Sequence, residues 1–258
     1  MKFFDANAML GAHFAPYANK FPDPLELLAE MNFFGIEEAL VYHGLAKEYN
    51  TEIGNKKLLK EIADFPRLHP CWVIAPHHTG EISAPAELIT DMFKKGVKTG
   101  RLFFGGPLSY GELPDFLTYR ELFVIFNQYQ IPLIIEFEQS ELLTWANIIS
   151  LDTFLEHFPD VPFIVGAPKI GGNIDRVLYP RLEKYKNLYI ELSGYQHARE
   201  IENMVKHFGS KRLIFGTRFP WYGIAQTMIN LTYAHISEED KNAIAGENFK
   251  GLLRKGKG

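Results

Sequence analysis

Residues able to grip a ligand or move a proton recur in this 258-residue chain where short apolar runs give way to loops. In chain order they are Asn7, Met9, His43, His77, Arg101, Glu136, Lys169, Ser193, Tyr195, Arg218 and Trp221. Gathered at one end of a fold, these types suggest a definite chemistry. Glu136, with Glu138 two residues on at the same strand end, offers a carboxylate that can relay a proton. Arg218 and Lys169 can hold an anion, and the planar fork of arginine suits a carboxylate bidentately. The candidate site therefore takes Glu136 and Arg218 as catalytic residues. Asn7, Met9, His43, His77, Arg101, Lys169, Ser193, Tyr195, Arg218 and Trp221 would line a pocket for a small, anionic molecule. A plainer alternative stands beside it: Glu136 and Arg218 pair with each other and fill the space, with Lys169 nearby. The sequence leaves open whether Arg101 faces the mouth or an outer helix.

These residues need a scaffold that brings them together. Eight short, apolar, β-rich runs fall at 3–4, 38–42, 69–75, 97–104, 132–137, 162–165, 188–192 and 212–215. Each is long enough for a strand and too short for a helix. Helical signals lie between them. Asp23-Pro24 offers a cap followed by a first-turn proline, and Gly35 closes that segment. Thr118 and Glu121 have capping-box spacing. Residues 141–158 and 174–185 carry period-3.6 apolar stripes, and Gly96 and Gly209 follow basic last turns. Strand and helix alternating eight times predict an α/β fold, a single parallel (β/α)8 TIM barrel spanning 1–258 as one domain. Strands apolar on both faces agree with helices covering the outside. Function in such a barrel sits at the C-terminal strand ends, which is where the candidate residues lie.

Composition narrows the partners. With 27 Lys plus Arg against 31 Asp plus Glu, the net charge is -4, and no basic footprint for nucleic acid exists. No apolar run approaches the roughly 20 residues of a membrane span. Asp5 and Asn7 interrupt the start before an apolar stretch develops, so no secretory leader is expected and the cytoplasm is the expected compartment. Cys71 is the lone cysteine and is expected to be a buried, inert thiol. His13, His43, His77 and His197 fall in mouth loops, but their spacing matches no ligand motif. His77 and His78 on extended chain would point in opposite directions and chelate poorly. His69, His157, His207 and His235 read as surface or helix-end residues, and 105–107 as a turn.

Several segments resemble the amidohydrolase superfamily, in particular its aminocarboxymuconate semialdehyde decarboxylase-like branch. Residues 4–11 (FDANAMLG) resemble its opening strand, and 131–136 (IPLIIE) its fifth. Residues 158–165 (FPDVPFIV) leading to Gly171-Gly172, and 187–194 (NLYIELSG), are similar to its sixth and seventh strands. Residues 212–221 (RLIFGTRFPW) resemble the eighth, and Gly246-Glu247-Asn248-Phe249 its closing helix. The resemblance implies the same barrel and hydrolase or lyase chemistry on a small molecule. It also implies a loss. Asn7 and Met9 stand at the two first-strand histidines, Glu136 at the fifth-strand histidine, and Arg218 at the catalytic aspartate. The sixth-strand histidine slot falls within 167–169, which holds none. An amide and a thioether are poor ligands for a water-activating cation, and a fixed guanidinium opposes one. No metal and no other cofactor is expected. Two functions follow: a metal-independent hydrolase or lyase (C–O, C–N or decarboxylation chemistry) of a small carboxylated molecule, or a non-catalytic pseudoenzyme of this fold that binds a small ligand or partner. Barrels of this size suggest a homodimer.

Overall fold

The computed structural model describes residues 1–12, 22–104, 115–137, 145–166, 173–195 and 197–256. The strands within them are β1 (Phe3–Leu10), β2 (Ile36–His43), β3 (Leu68–Pro70), β4 (Trp72–Val73), β5 (Gly100–Phe104), β6 (Leu133–Phe137), β7 (Phe163–Gly166), β8 (Leu188–Glu191) and β9 (Leu213–Ile214). All adjacent pairs run parallel, in the orders β1-β2-β3 and β4-β5-β6-β7-β8-β9. The expected run at 69–75 is thus two short strands. Pro70 has no N–H to give, and the chain resumes as Cys71 N donates to Val41 O at 2.8 Å and Ile74 N to Arg101 O at 2.9 Å. Across the other seam Ala6 N donates to Phe215 O at 3.0 Å and Met9 N to Phe219 O at 2.9 Å. Backbone hydrogen bonds therefore join the strands at both seams, although no continuous ladder spans either one. Helices follow the strands around the outside, giving the α/β barrel the alternation predicts.

Side chains divide by the two-residue period of a strand. Leu40 and Tyr42, Val73, Phe103, Ile134, Ile164 and Ile214 share one interior cluster. Ala39 and Val41, Leu102 and Phe104, Leu133 and Ile135, and Phe163 and Val165 join the layer packed with the helices. Both phases are buried, as a helix-covered parallel barrel requires. The interior phase also carries the charges: Arg101 precedes Phe103 by two, Glu136 follows Ile134 by two, and Glu191 follows Tyr189 by two.

Local punctuation largely follows the sequence. Asp23 accepts from Glu26 N in a full capping box, and Gly35 at φ 74° ends that helix in a conformation glycine favours. Two expectations are corrected. Helix Phe116–Tyr129 is capped by Asp115, which accepts from Thr118 N, so Thr118 lies inside the first turn. His69 is half-buried, 2.6 Å from Glu38, and stacked on Phe4. No helix among the described residues is long and apolar enough to cross a membrane.

Candidate active site

Interior alternation on β5, β6 and β8 aims one guanidinium and two carboxylates at the same space, and β1 supplies the amide between them. Arg101 Nη1 donates to Asn7 Oδ1 at 2.8 Å and to Glu136 Oε1 at 3.0 Å. Asn7 Nδ2 donates to Glu136 Oε1 at 3.0 Å and to Glu191 Oε2 at 2.9 Å. Glu191 also accepts from Ser193 N at 2.6 Å and from Ser193 Oγ at 2.9 Å. All five residues are at most 1% exposed. Buried charges persist only when paired and hydrogen-bonded, and this network meets both needs.

Two glycines make room for the carboxylates. Gly166 is the register partner of Glu136, and a Cβ there would lie 3.1 Å from Glu136 Cγ. At Gly216 a Cβ would come 2.4 Å from Glu191 Oε1, closer than any side chain tolerates.

The end of the barrel's last strand is pinned by Asp5. Its carboxylate accepts from Thr217 N at 2.9 Å, Thr217 Oγ1 at 2.5 Å and Asn7 N at 2.9 Å. The next residue, Arg218, adopts φ 55°, a left-handed conformation that costs a non-glycine residue roughly 1–3 kcal/mol. That turn leaves the Arg218 side chain 18% exposed, with Nε 4.0 Å from Glu136 Oε1 and Nη1 3.2 Å from Tyr222 Oη. Arg218 Nε is buried and has no hydrogen-bond partner among the described residues. Lys47, almost fully buried, brings Nζ 5.1 Å from the Phe103 ring centre and 5.7 Å from that of Trp221.

Burial alone would raise the Glu136 carboxyl, but the guanidiniums of Arg101 and Arg218 outweigh it and hold it below the usual range. Asp5 goes the other way, because its burial exceeds what the Thr217 and Asn7 hydrogen bonds return. Burial also pushes the Cys71 thiol up to about 11, as expected of an inert side chain.

The expected Glu136–Arg218 pair is present at 4.0 Å, and Arg101 makes a second, shorter contact with the same carboxylate at 3.0 Å. Arg101 faces inward. The network gathers Asn7, Arg101, Glu136, Ser193 and Arg218, and Trp221 packs on the interior cluster. Other candidates have structural partners instead. Met9 is buried in that interior cluster. His43 Nδ1 accepts from Leu45 N, capping helix Gly44–Glu48, and Nε2 lies 3.3 Å from Glu61. Tyr195 is buried with the helix layer. His77 sits in a 3-10 turn, 3.3 Å from Glu121, with its ring centre 3.9 Å from that of His78, so the two do not splay apart as extended chain would place them. Lys169, His13 and Gly171-Gly172 lie outside the described residues. Asp5, Lys47, Glu191 and Thr217 were not among the candidates; Glu191 was findable, as a carboxylate on the interior phase two residues before Ser193.

These residues do not fit a divalent cation. The Asn7 and Glu136 oxygens that could face one both accept from Arg101, whose charge occupies the same space. Among the described residues no three His, Cys, Asp or Glu side chains gather as ligands.

The whole-chain geometry has relatives. An uncharacterised TIM-barrel protein from Bordetella bronchiseptica superposes with a TM-score of 0.74 at 16% identity, covering 99% of each chain. The 2,6-dihydroxybenzoate decarboxylase from Rhizobium gives 0.72 at 15%, covering 98% of each. A putative 2-pyrone-4,6-dicarboxylic acid hydrolase from Pseudomonas putida gives 0.75 at 14%, again covering 98% of each. Identities this low establish the shared barrel and nothing finer. No curated protein matches the chain in sequence. Residues 8–254 match the amidohydrolase family, nearly the full length, and the chain belongs to that family.

Proposed function

We propose that this chain, working as a single domain, is a metal-independent hydrolase or lyase that takes a small carboxylated molecule at the barrel mouth, with the carboxylate on Arg218. The observation that carries the reading is the state of Arg218. Arg101 and Asn7 already bond to Glu136 Oε1, and Arg218 keeps a buried Nε with no hydrogen-bond partner among the described residues, in a backbone conformation that has to be held in place. A ligand carboxylate would supply the missing acceptor and match the fork geometry. Lys47, paired with Glu48 at 3.9 Å, lies beside Trp221, which gives the mouth a flat apolar wall. The family's barrel and two of the structural neighbours, a decarboxylase of an aromatic acid and a putative dicarboxylic acid hydrolase, support this substrate class.

In this reading Glu136, 4.0 Å from Arg218, is the proton-transfer group, and it works as a carboxylate because two guanidiniums keep it ionised. A second reading has its own support. The Glu136 oxygen nearest Arg218 already accepts two hydrogen bonds, which suits a scaffold better than a base and favours a non-catalytic binder.

One experiment separates the two. A panel of aromatic and aliphatic carboxylates is screened by thermal shift, and each binder is then incubated with protein and followed by mass spectrometry. Binding lost in Arg218→Met, with product formation lost in Glu136→Gln, supports the enzyme. Binding without product supports the binder, and no carboxylate that binds sinks both. We further propose a homodimer, which light scattering reads directly.

A further inference from the structure

The N-terminal end of the barrel, opposite the mouth, holds a cavity of about 290 Å³. Its inner wall is Phe4, Leu40 and Thr99, and Leu253 of the closing helix covers one side. Thr99 is fully buried, and its Oγ1 has no hydrogen-bond partner among the described residues. A buried hydroxyl in that state favours any ligand that offers it an acceptor.

The rim is charged in one sense. Glu38 is paired with Lys250 at 2.6 Å and hydrogen-bonded to His69 at 2.6 Å. Lys98 and Arg254 also line the cavity, are exposed, and have no ion-pair partner among the described residues. The remaining field is positive over walls that are largely aromatic and aliphatic. Phe4 is already a stacking platform, with the His69 ring 5.3 Å away at 22°.

From this placement we propose a second ligand site, for a small aromatic carboxylate. Its ring would lie against Phe4, Leu40 and Leu253, with its carboxylate between Lys98 and Arg254 and in reach of Thr99. The volume is at the small end of ligand pockets and suits a single ring. Nothing in the site is shared with Arg218, so it stands apart from the mouth reading. Thr99 is two residues before Arg101 on the same interior phase of the strand, which puts the site one side-chain layer beneath the buried ion pair.

Benzoate is titrated calorimetrically into Arg218→Met, which removes the proposed anion anchor of the mouth. One site is expected. Adding Lys98→Met and Arg254→Met should weaken it at least about tenfold, Thr99→Val several-fold, and neutral benzamide should bind more weakly than benzoate. Lys98 and Arg254 are exposed, so their replacement leaves the fold intact. Should Arg218→Met fail to fold, the same double change in the otherwise wild-type chain must remove one benzoate site. Absence of benzoate binding, or binding indifferent to Lys98 and Arg254, overturns the proposal.

Discussion

Arg101 and Glu136 pair diagonally across β5 and β6. Arg101 stands opposite Ile134, two residues short of Glu136, yet its Nη1 reaches Glu136 Oε1 at 3.0 Å. The contact is fully buried, and it puts a fixed organic cation against the carboxylate.

Breaking that pair from one side should be costly. Arg101→Met leaves Glu136 buried with Arg218 at 4.0 Å as the nearest remaining cation among the described residues, and should lose about 3–5 kcal/mol in urea unfolding. Arg101→Met combined with Glu136→Gln should lose less than the sum of the two single changes, because the second removes the stranded charge. Strict additivity would show that the two residues do not act as a pair.

The carboxylates at the site predict opposite slopes of stability against pH. Glu136 has a folded pKa below its ordinary 4.5, so its contribution is full above that value and is lost as pH falls through the folded one. Asp5 has a folded pKa above its ordinary 3.8, so stability declines as pH rises from there through the folded value. Glu136→Gln should therefore flatten the acid limb, and Asp5→Asn the decline on its neutral side. Chemical denaturation from pH 3 to 8 would show whether either variant keeps the parent curve.

Glycine replacements should rank by the space each has. Gly216→Ala drives a methyl to 2.4 Å from a carboxylate oxygen, whereas Gly166→Ala meets side-chain carbons at 3.0 and 3.1 Å. Overpacking typically costs about 1–3 kcal/mol, so Gly216→Ala should lie near or above the top of that range and Gly166→Ala near the bottom. Equal melting temperatures for the two would contradict the packing described.

Metal should be dispensable. Protein purified without chelator should carry less than about a tenth of an equivalent of zinc, manganese or iron, and its melting temperature should be unchanged by added chelator. A stoichiometric metal by plasma mass spectrometry would mean that ligands outside the Arg101–Glu136 network had been assembled.

The barrel was legible because strand period and helix punctuation are local signals. Asp23, Pro24 and Gly35 could be assigned from neighbours alone, whereas Asp115 displaced Thr118 as a cap because two competing capping residues lay three apart. The site was legible only in part. Asn7, Glu136 and Arg218 stood out by position at strand ends, but which arginine would meet Glu136 depends on register between β5 and β6, which no single segment encodes. Glu191 was hidden inside an apolar run, and its room is made by Gly216, 25 residues later and two past the end of β9. His43 looked like a ligand-binding residue and is a helix cap, since the same imidazole can accept from a neighbouring amide.

The polar network also bears on how the chain folds. Asn7 comes from the first strand, and its partners Arg101, Glu136 and Glu191 lie 94, 129 and 184 residues further on. Its donors and acceptors are satisfied together only once the last strands meet the first. A partly assembled sheet that buried Arg101 or Glu191 without Asn7 would carry an unmet charge. Closure of the ring is thereby made all-or-none, and the contacts of greatest sequence separation are the ones on which it depends.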